Sequence, residues 1–382
     1  MKKRTIRVLI AVLALLIGVT GCTNGKMTYP MDRYDLDAYM IPYWSGNTVY
    51  QESVMPLENE DGTMDDISLL YKADKILSVR SSALDKEYVE GKDYELADGK
   101  LRILGGDIPR VAYSQYYPME PSEQAFTLRP DGEAYVLFSE GAVFHNMQIA
   151  VTYTHSESFD GSIPAYQGTQ LPKTIAKLNN NEPLTILLYG DSISVGGNST
   201  QYVNAAPYAP IWPEMALAKL ADIYGNTNIH FVNTSESGQN SIWGVENAQS
   251  LAADKKPDLA IIAFGMNDGS GRLSASDFCH NISAIMDTIK AENAACEFIL
   301  VAPMLANPEA RSYVGNQELY ASALREIAGD GAVVADMTQY HKNLLAHKRY
   351  MDMTGNNVNH PNDFLARAYA QVITRTLAEN YG

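Results

Sequence analysis

Cysteine is scarce in this chain of 382 residues, which holds only Cys22, Cys279 and Cys296. Two cysteines beyond the N-terminal segment make no disulfide framework, and no Cys-x-x-Cys or Cys/His spacing suits a structural metal. Cys279 in a helical stretch and Cys296 just before a strand read as small buried hydrophobes. Positive charge is also short, with 29 Lys and Arg against 45 Asp and Glu. So acidic a surface repels phosphate backbones and excludes nucleic acid as a partner. Histidine is limited to seven residues, so any general base must come from a short set. No Gly-x-Ser-x-Gly elbow occurs. What remains is a globular composition, 46% hydrophobic and 19% charged, on a chain long enough for two domains.

The first residues read as an export segment. Lys2, Lys3, Arg4 and Arg7 precede the apolar run Val8 to Ile17, which is too short to span a bilayer as a mature helix. The stretch VTGC, Val19 to Cys22, resembles the lipobox of bacterial lipoproteins. The resemblance implies a signal over 1–21, a lipid-carrying Cys22, a polar tether over 22–30, and anchoring at the outer face of a bacterial membrane. More than one acyl chain would hold firmly, at about 0.8 kcal/mol per buried methylene. Without residues 1–21 the balance is 25 basic against 45 acidic residues.

From 31 to 166 the texture is β. EAYVLFSEG and MQIAVTYTHSE are short β-rich runs, and ADGKL and RPDGEA carry the Asp-Gly signals of tight turns. A β-sandwich of the jelly-roll kind is expected there. The stretch 167–183, at the end of a Gly-, Pro- and Ser-rich segment, reads as a linker. From 184 to 382, TILLY, IHFVN, LAIIAF, FILVAP and AVVAD are apolar runs of strand length separated by helical spacing. That alternation predicts a parallel sheet with helices on both faces, with ligands outside the carboxyl ends of the strands.

Ser192 lies at that rim, in ILLYGDSISVGG. A serine at a strand-to-helix turn suits a nucleophile, or phosphate at a helix N-terminus, or simple capping by Asp191 and Ser192. Three further loops follow later strands or precede the last helix: SESGQNS, FGMNDGSG and NVNHPND. They offer side-chain amides, glycines and a histidine, which a serine nucleophile needs as base and oxyanion donors.

GDSI, the glycine of SESGQ, GMND and the histidine of NHPND match in order the four signature blocks of the GDSL or SGNH hydrolases. The resemblance covers about Thr185 to Tyr381. It implies a flavodoxin-like three-layer fold, no metal or other cofactor, and ester hydrolysis through an acyl-enzyme. By it, Ser192 is the nucleophile and His360 the general base and acid. Ser192 N–H, Gly238 N–H and the Asn267 amide form the oxyanion hole. The chain departs from the family where an aspartate is usual three residues before the histidine, since Asn357 stands there. A Ser-His dyad is therefore expected, with His360 oriented by a backbone carbonyl of the loop Tyr350 to Val358. Asp352 is the competing third member. Asp363 reads as a helix-start residue, and Asp191 and Asp268 as acceptors that shape loops. His341 and His347 read as solvated, and His145 as a residue lining the β domain's surface.

Tyr39, Tyr43, Trp44 and Tyr50, then Tyr113, Tyr116 and Tyr117, cluster in the β region. Core packing explains most of them. A jelly-roll domain ahead of an SGNH domain resembles two-domain carbohydrate esterases that deacetylate polysaccharides. The reading is thus a surface-anchored serine esterase that removes O-acetyl groups from polysaccharide. A lipase, lysophospholipase or thioesterase of the same fold is the alternative, and an inactive glycan-binding lipoprotein is the reading from another class.

Overall fold

The computed structural model describes residues 35–382. The expected export segment, Cys22 and the tether lie outside them. Among the described residues no helix is long and apolar enough to cross a membrane.

The N-terminal region is antiparallel β, as the turn-rich sequence predicts. Strands β1 (Thr48–Val54), β2 (Lys75–Ser81) and β7 (Ile149–Thr154) form a sheet in the order β1-β7-β2. Two shorter ladders accompany it: β3 (Tyr94–Ala97) with β4 (Lys100–Ile103), and β5 (Thr127–Leu128) with β6 (Tyr135–Val136). Asp98 and Gly99 turn β3 into β4 with φ of 48° and 77°, the left-handed pair that a two-residue hairpin requires. Alternation sends Ile149, Val151 and Tyr153 of β7 into the core. In β1 a register shift between Val49 and Glu52, with Gln51 at φ 48°, turns Glu52 to the buried face beside Val54.

That one-residue bulge has a large consequence. Glu52 and Lys348 are both fully buried, with Lys348 Nζ 2.5 Å from Glu52 Oε1. The carboxylate also accepts from the Leu70 N–H and the Tyr153 hydroxyl, while Nζ also donates to the Ser53 carbonyl. The pair joins β1 to the segment that leads to His360.

The C-terminal domain holds β8 (Leu184–Gly190), β9 (Ile229–Asn233), β10 (Leu259–Ala263), β11 (Glu297–Ala302) and β12 (Ala332–Asp336). All pairs are parallel, in the order β9-β8-β10-β11-β12. Counted from the first strand of this domain the order is 2-1-3-4-5, the doubly wound flavodoxin-like arrangement. The apolar runs split by parity. Ile186, Leu188 and Ile261 join the core under helices Trp212–Tyr224 and Asp363–Leu377. Leu187, Tyr189 and Ile262 join the core under helices Ser241–Leu251 and Ala275–Glu292.

Three readings need correction. Residues 167–183 are not a free linker: Pro172–Asn179 is a helix, opened by a proline whose missing N–H costs nothing there. Its Lys173 and Thr174 N–H groups are capped by the Glu297 carboxylate at 3.0 and 2.8 Å, and Leu171 and Leu178 are fully buried. His341 is fully buried and not solvated, its Nδ1 accepting from the Leu305 N–H, and burial pushes its pKa down to about 3. His145 is buried too, its Nε2 against the Ala206 carbonyl. The tyrosine clusters do pack as core. Tyr39, Tyr43, Trp44, Tyr116 and Tyr117 are buried, and the buried Arg367 guanidinium lies over the Tyr39 ring and donates to the Tyr43 hydroxyl.

Removing one member of a buried ion pair leaves the other charge desolvated, at about 3–5 kcal/mol. Lys348→Ala should therefore lower the unfolding free energy by about that much, measured by urea denaturation. A loss under about 1 kcal/mol would mean the pair carries no such weight.

Candidate active site

β8 ends at Gly190 because nothing larger fits. A Cβ there would lie 2.4 Å from the Ala263 carbonyl oxygen on the neighbouring strand. The chain then turns. Asp191 caps the short helix Ser192–Val195 by accepting from the Ile193 N–H at 3.0 Å. Ser192 opens that helix and is nearly buried.

Its Oγ lies 2.8 Å from His360 Nε2. The other ring nitrogen, Nδ1, lies 2.5 Å from Asn198 Oδ1. The Asn198 amide is oriented by its Nδ2, which donates to the Gly141 and Gly355 carbonyls. With Oδ1 facing the ring, Nδ1 carries the proton and Nε2 is left to accept from the Ser192 hydroxyl. That is the protonation state a general base needs. Gly197 leaves the ring room, since a Cβ there would come within 3.2 Å of His360 Cε1.

The histidine loop is self-supporting. Asn356, fully buried, accepts with one oxygen from the N–H groups of Val358, Asn359 and His360. The His360 carbonyl accepts from the Gly355 N–H and the Thr354 hydroxyl.

The expected orienting group is corrected here. No carbonyl of the loop Tyr350–Val358 holds Nδ1; the Asn198 side chain does. Asp352 is not a third member either. It is fully buried, chelated by Arg349 and bonded to the Met55 N–H at 2.7 Å. Asn357, at φ 69°, makes no hydrogen bond to His360. Its side chain accepts from the Tyr116 hydroxyl at 2.6 Å and donates to the Leu137 carbonyl at 3.0 Å. A carboxylate does face the ring, from an unexpected place. Glu140 Oε2 lies 3.6 Å from His360 Nδ1, and Oε1 accepts from Asn356 Nδ2. Sequence reasoning missed Asn198, Asn356 and Glu140. Each reads locally as a turn residue.

The loops proposed for the oxyanion hole are tied to the nucleophile's turn. Glu236 N–H donates to the Gly190 carbonyl, and Asn267 Nδ2 donates to the Gln239 carbonyl at 2.8 Å. One amide hydrogen of Asn267 thus anchors it to the loop of Gly238, and the second remains for a ligand. Among the described residues neither the Ser192 nor the Gly238 N–H donates to another protein atom. Asp268 shapes this junction as expected, accepting from the N–H and hydroxyl of Ser241. Among the described residues no three His, Cys, Asp or Glu side chains group as metal ligands.

Residues 188–368 match the GDSL-like Lipase/Acylhydrolase family. The GDSL-like domain is similar to the esterase TesA of Pseudomonas aeruginosa, 30% identical over 112 residues, which are 29% of this chain and 50% of the relative. The chain thus matches about half the length of that curated relative. Among solved structures it is similar to a two-domain esterase, CEX, active on acetylated mannans, at 21% identity and a TM-score of 0.44, over 54% of this chain and 52% of that one. It is also similar to Axe2, an acetylxylan esterase from Geobacillus stearothermophilus, at 18% identity and a TM-score of 0.40, over 50% of this chain and 94% of that one.

Electrostatics of the GDSL-like site yield a stability signature. Burial pushes the Asp191 carboxyl up to about 7, against the pull of the Ile193 N–H and of charge on His360. The folded protein then holds that proton more tightly than the unfolded chain. Stability falls as pH rises from about 4 to about 7 and is flat above. Asp191→Asn keeps the cap and should flatten the slope, read as melting temperature against pH; an unchanged slope would assign it elsewhere. If the Asn267 amide stabilises an oxyanion, Asn267→Ala should raise the barrier by about 2.7–4 kcal/mol, as kcat and not KM. A pure KM effect would make Asn267 a substrate-binding group only.

Proposed function

We propose that this protein is an exported serine ester hydrolase that removes O-acetyl groups from polysaccharide. The observation that carries the reading is the line Ser192 Oγ, His360 Nε2, His360 Nδ1, Asn198 Oδ1, with contacts of 2.8 and 2.5 Å at its ends. Ser192 Oγ attacks the ester carbonyl as its proton passes to Nε2. The carbonyl oxygen becomes an oxyanion, stabilised by the Ser192 and Gly238 N–H groups and the Asn267 amide. The C–O bond to the sugar breaks, and His360 returns the proton to the leaving alcohol. Water then gives a proton to His360 Nε2 and attacks the acyl-serine; the acyl–Oγ bond breaks, His360 returns the proton to Ser192 Oγ, and the carboxylic acid leaves.

A short acyl group on a bulky polar alcohol fits the surroundings. Asn198, Asn356, Asn359 and Glu140 crowd His360 with polar groups, whereas a long acyl chain needs apolar lining. A cleft of about 600 Å³ does exist, but it lies between residues 68–72 and 157–160, away from Ser192. Phe126, half exposed, and Tyr313 offer neighbouring ring faces, their centroids 6.3 Å apart, on the side where Glu140 sits. Such faces suit a sugar ring. Export rests on the basic and apolar N-terminal segment, and lipid anchoring on VTGC.

Ser192→Ala should lower p-nitrophenyl acetate turnover by on the order of 10⁶-fold with the fold intact. Wild type should prefer acetate to octanoate esters. Wild-type turnover in Ser192→Ala would overturn the assignment, and an octanoate preference would make the protein a lipase or thioesterase instead.

A further inference from the structure

His360 becomes an imidazolium in both transition states, and Asn198 brings it no charge. An amide orients the ring but offers only a dipole. The position where GDSL relatives usually carry an acid is Asn357, turned away toward Tyr116 and Leu137. The charge must come from elsewhere. Two carboxyl groups act on the ring. Asp191 is buried behind Ser192 and is engaged by the Ile193 N–H. Glu140 Oε2 stands 3.6 Å from Nδ1, the nitrogen that keeps its proton throughout.

We propose that Glu140 is the positioning residue that stabilises protonated His360, so that the antiparallel β region completes the catalytic site. The inference rests on the serine-esterase reading above. Three contacts support it independently of charge. Glu140 Oε1 is held by Asn356, the residue whose side-chain oxygen also takes the His360 N–H. The next residue, Gly141, takes Asn198 Nδ2 with its carbonyl, so one short β-region segment fixes both groups that meet Nδ1. The groups facing Glu140 are His360, Asn356, Asn198 and the Tyr313 hydroxyl, and His360 is the only one that becomes a cation. Burial raises the Glu140 carboxyl, but the hydrogen bond and charge of His360 with the Asn356 and Asn198 amides bring it below its ordinary value. It is therefore ionised at neutral pH. It takes no proton; the Ser192 proton goes to Nε2 and on to the alcohol.

The size of the effect follows from exposure. The Glu140 side chain is 55% exposed, so solvent and salt screen it and its effect on the imidazolium is modest. A carboxylate favours the imidazolium. Its loss removes that preference and moves the acid limb of kcat/KM to lower pH.

The test is the pH profile of p-nitrophenyl acetate hydrolysis for wild type, Glu140→Gln, Glu140→Asp and Ser192→Ala, at low and high salt. Glu140→Gln should lower kcat about three- to tenfold and move the acid limb down by about half a pH unit. Glu140→Asp should restore part of both, and high salt should narrow the gap between wild type and Glu140→Gln. An acid limb that stays in place in Glu140→Gln, with Ser192→Ala inactive, would overturn this inference alone. Wild-type turnover in Ser192→Ala would overturn the esterase reading and this inference with it.

Discussion

The buried ion pair between Glu52 and Lys348 governs how this molecule is put together. Two charges with no exposed surface are costly unless each finds several partners. Here the partners come from both halves: Leu70, Tyr153 and Ser53 from the β region, and the Phe364 ring under Lys348 Nζ from the GDSL-like domain. Neither half satisfies its own charge alone. The β region is therefore seated on the domain in one position.

That seating accounts for the loop that carries His360. One side of the loop is bound to the β region. Asp352 takes the Met55 N–H, Gln148 Nε2 donates to the Met351 and Thr354 carbonyls, and Asn362 Nδ2 reaches Ser53 and Gln148. The other side presents His360 to Ser192. It also explains the amide at position 357. The Asn357 side chain accepts from the Tyr116 hydroxyl and donates to the Leu137 carbonyl, both in the β region. A carboxylate there would meet the Leu137 carbonyl with no proton to give, in a fully buried place. The usual acid position serves the interface, and the carboxylate near the ring comes across that interface as Glu140.

Much of this was legible along the chain. Apolar runs such as TILLY and LAIIAF announce strands buried on both faces, because a parallel sheet covered by helices leaves no polar side. Gly190 and Asp191 mark the nucleophile's turn for local reasons, a close strand crossing and a cap. The Asp98-Gly99 hairpin needed only two residues to be read. What failed depended on distance. Asn198 meets His360 across 162 positions, and Asn356 meets Glu140 across 216, and no local pattern encodes either. Asp352 looked catalytic because it is an acid near a histidine in sequence, yet its fully buried carboxylate is neutralised by Arg349 three residues away. The helix Pro172–Asn179 was hidden by the Gly and Pro before it, and its cap, Glu297, comes from another strand. His341 sits on a helix rich in polar residues, but the face it occupies is covered.

The central claim is that Ser192 is a nucleophile activated by His360. Labelling with a phosphonate ester reagent, followed by peptide mass spectrometry, tests it without knowledge of the natural substrate. The account predicts a single adduct, on the peptide containing Ser192, lost when the protein is unfolded before labelling and when His360 is replaced by alanine. An adduct on a different residue, or equal labelling of the native and unfolded protein, would contradict it.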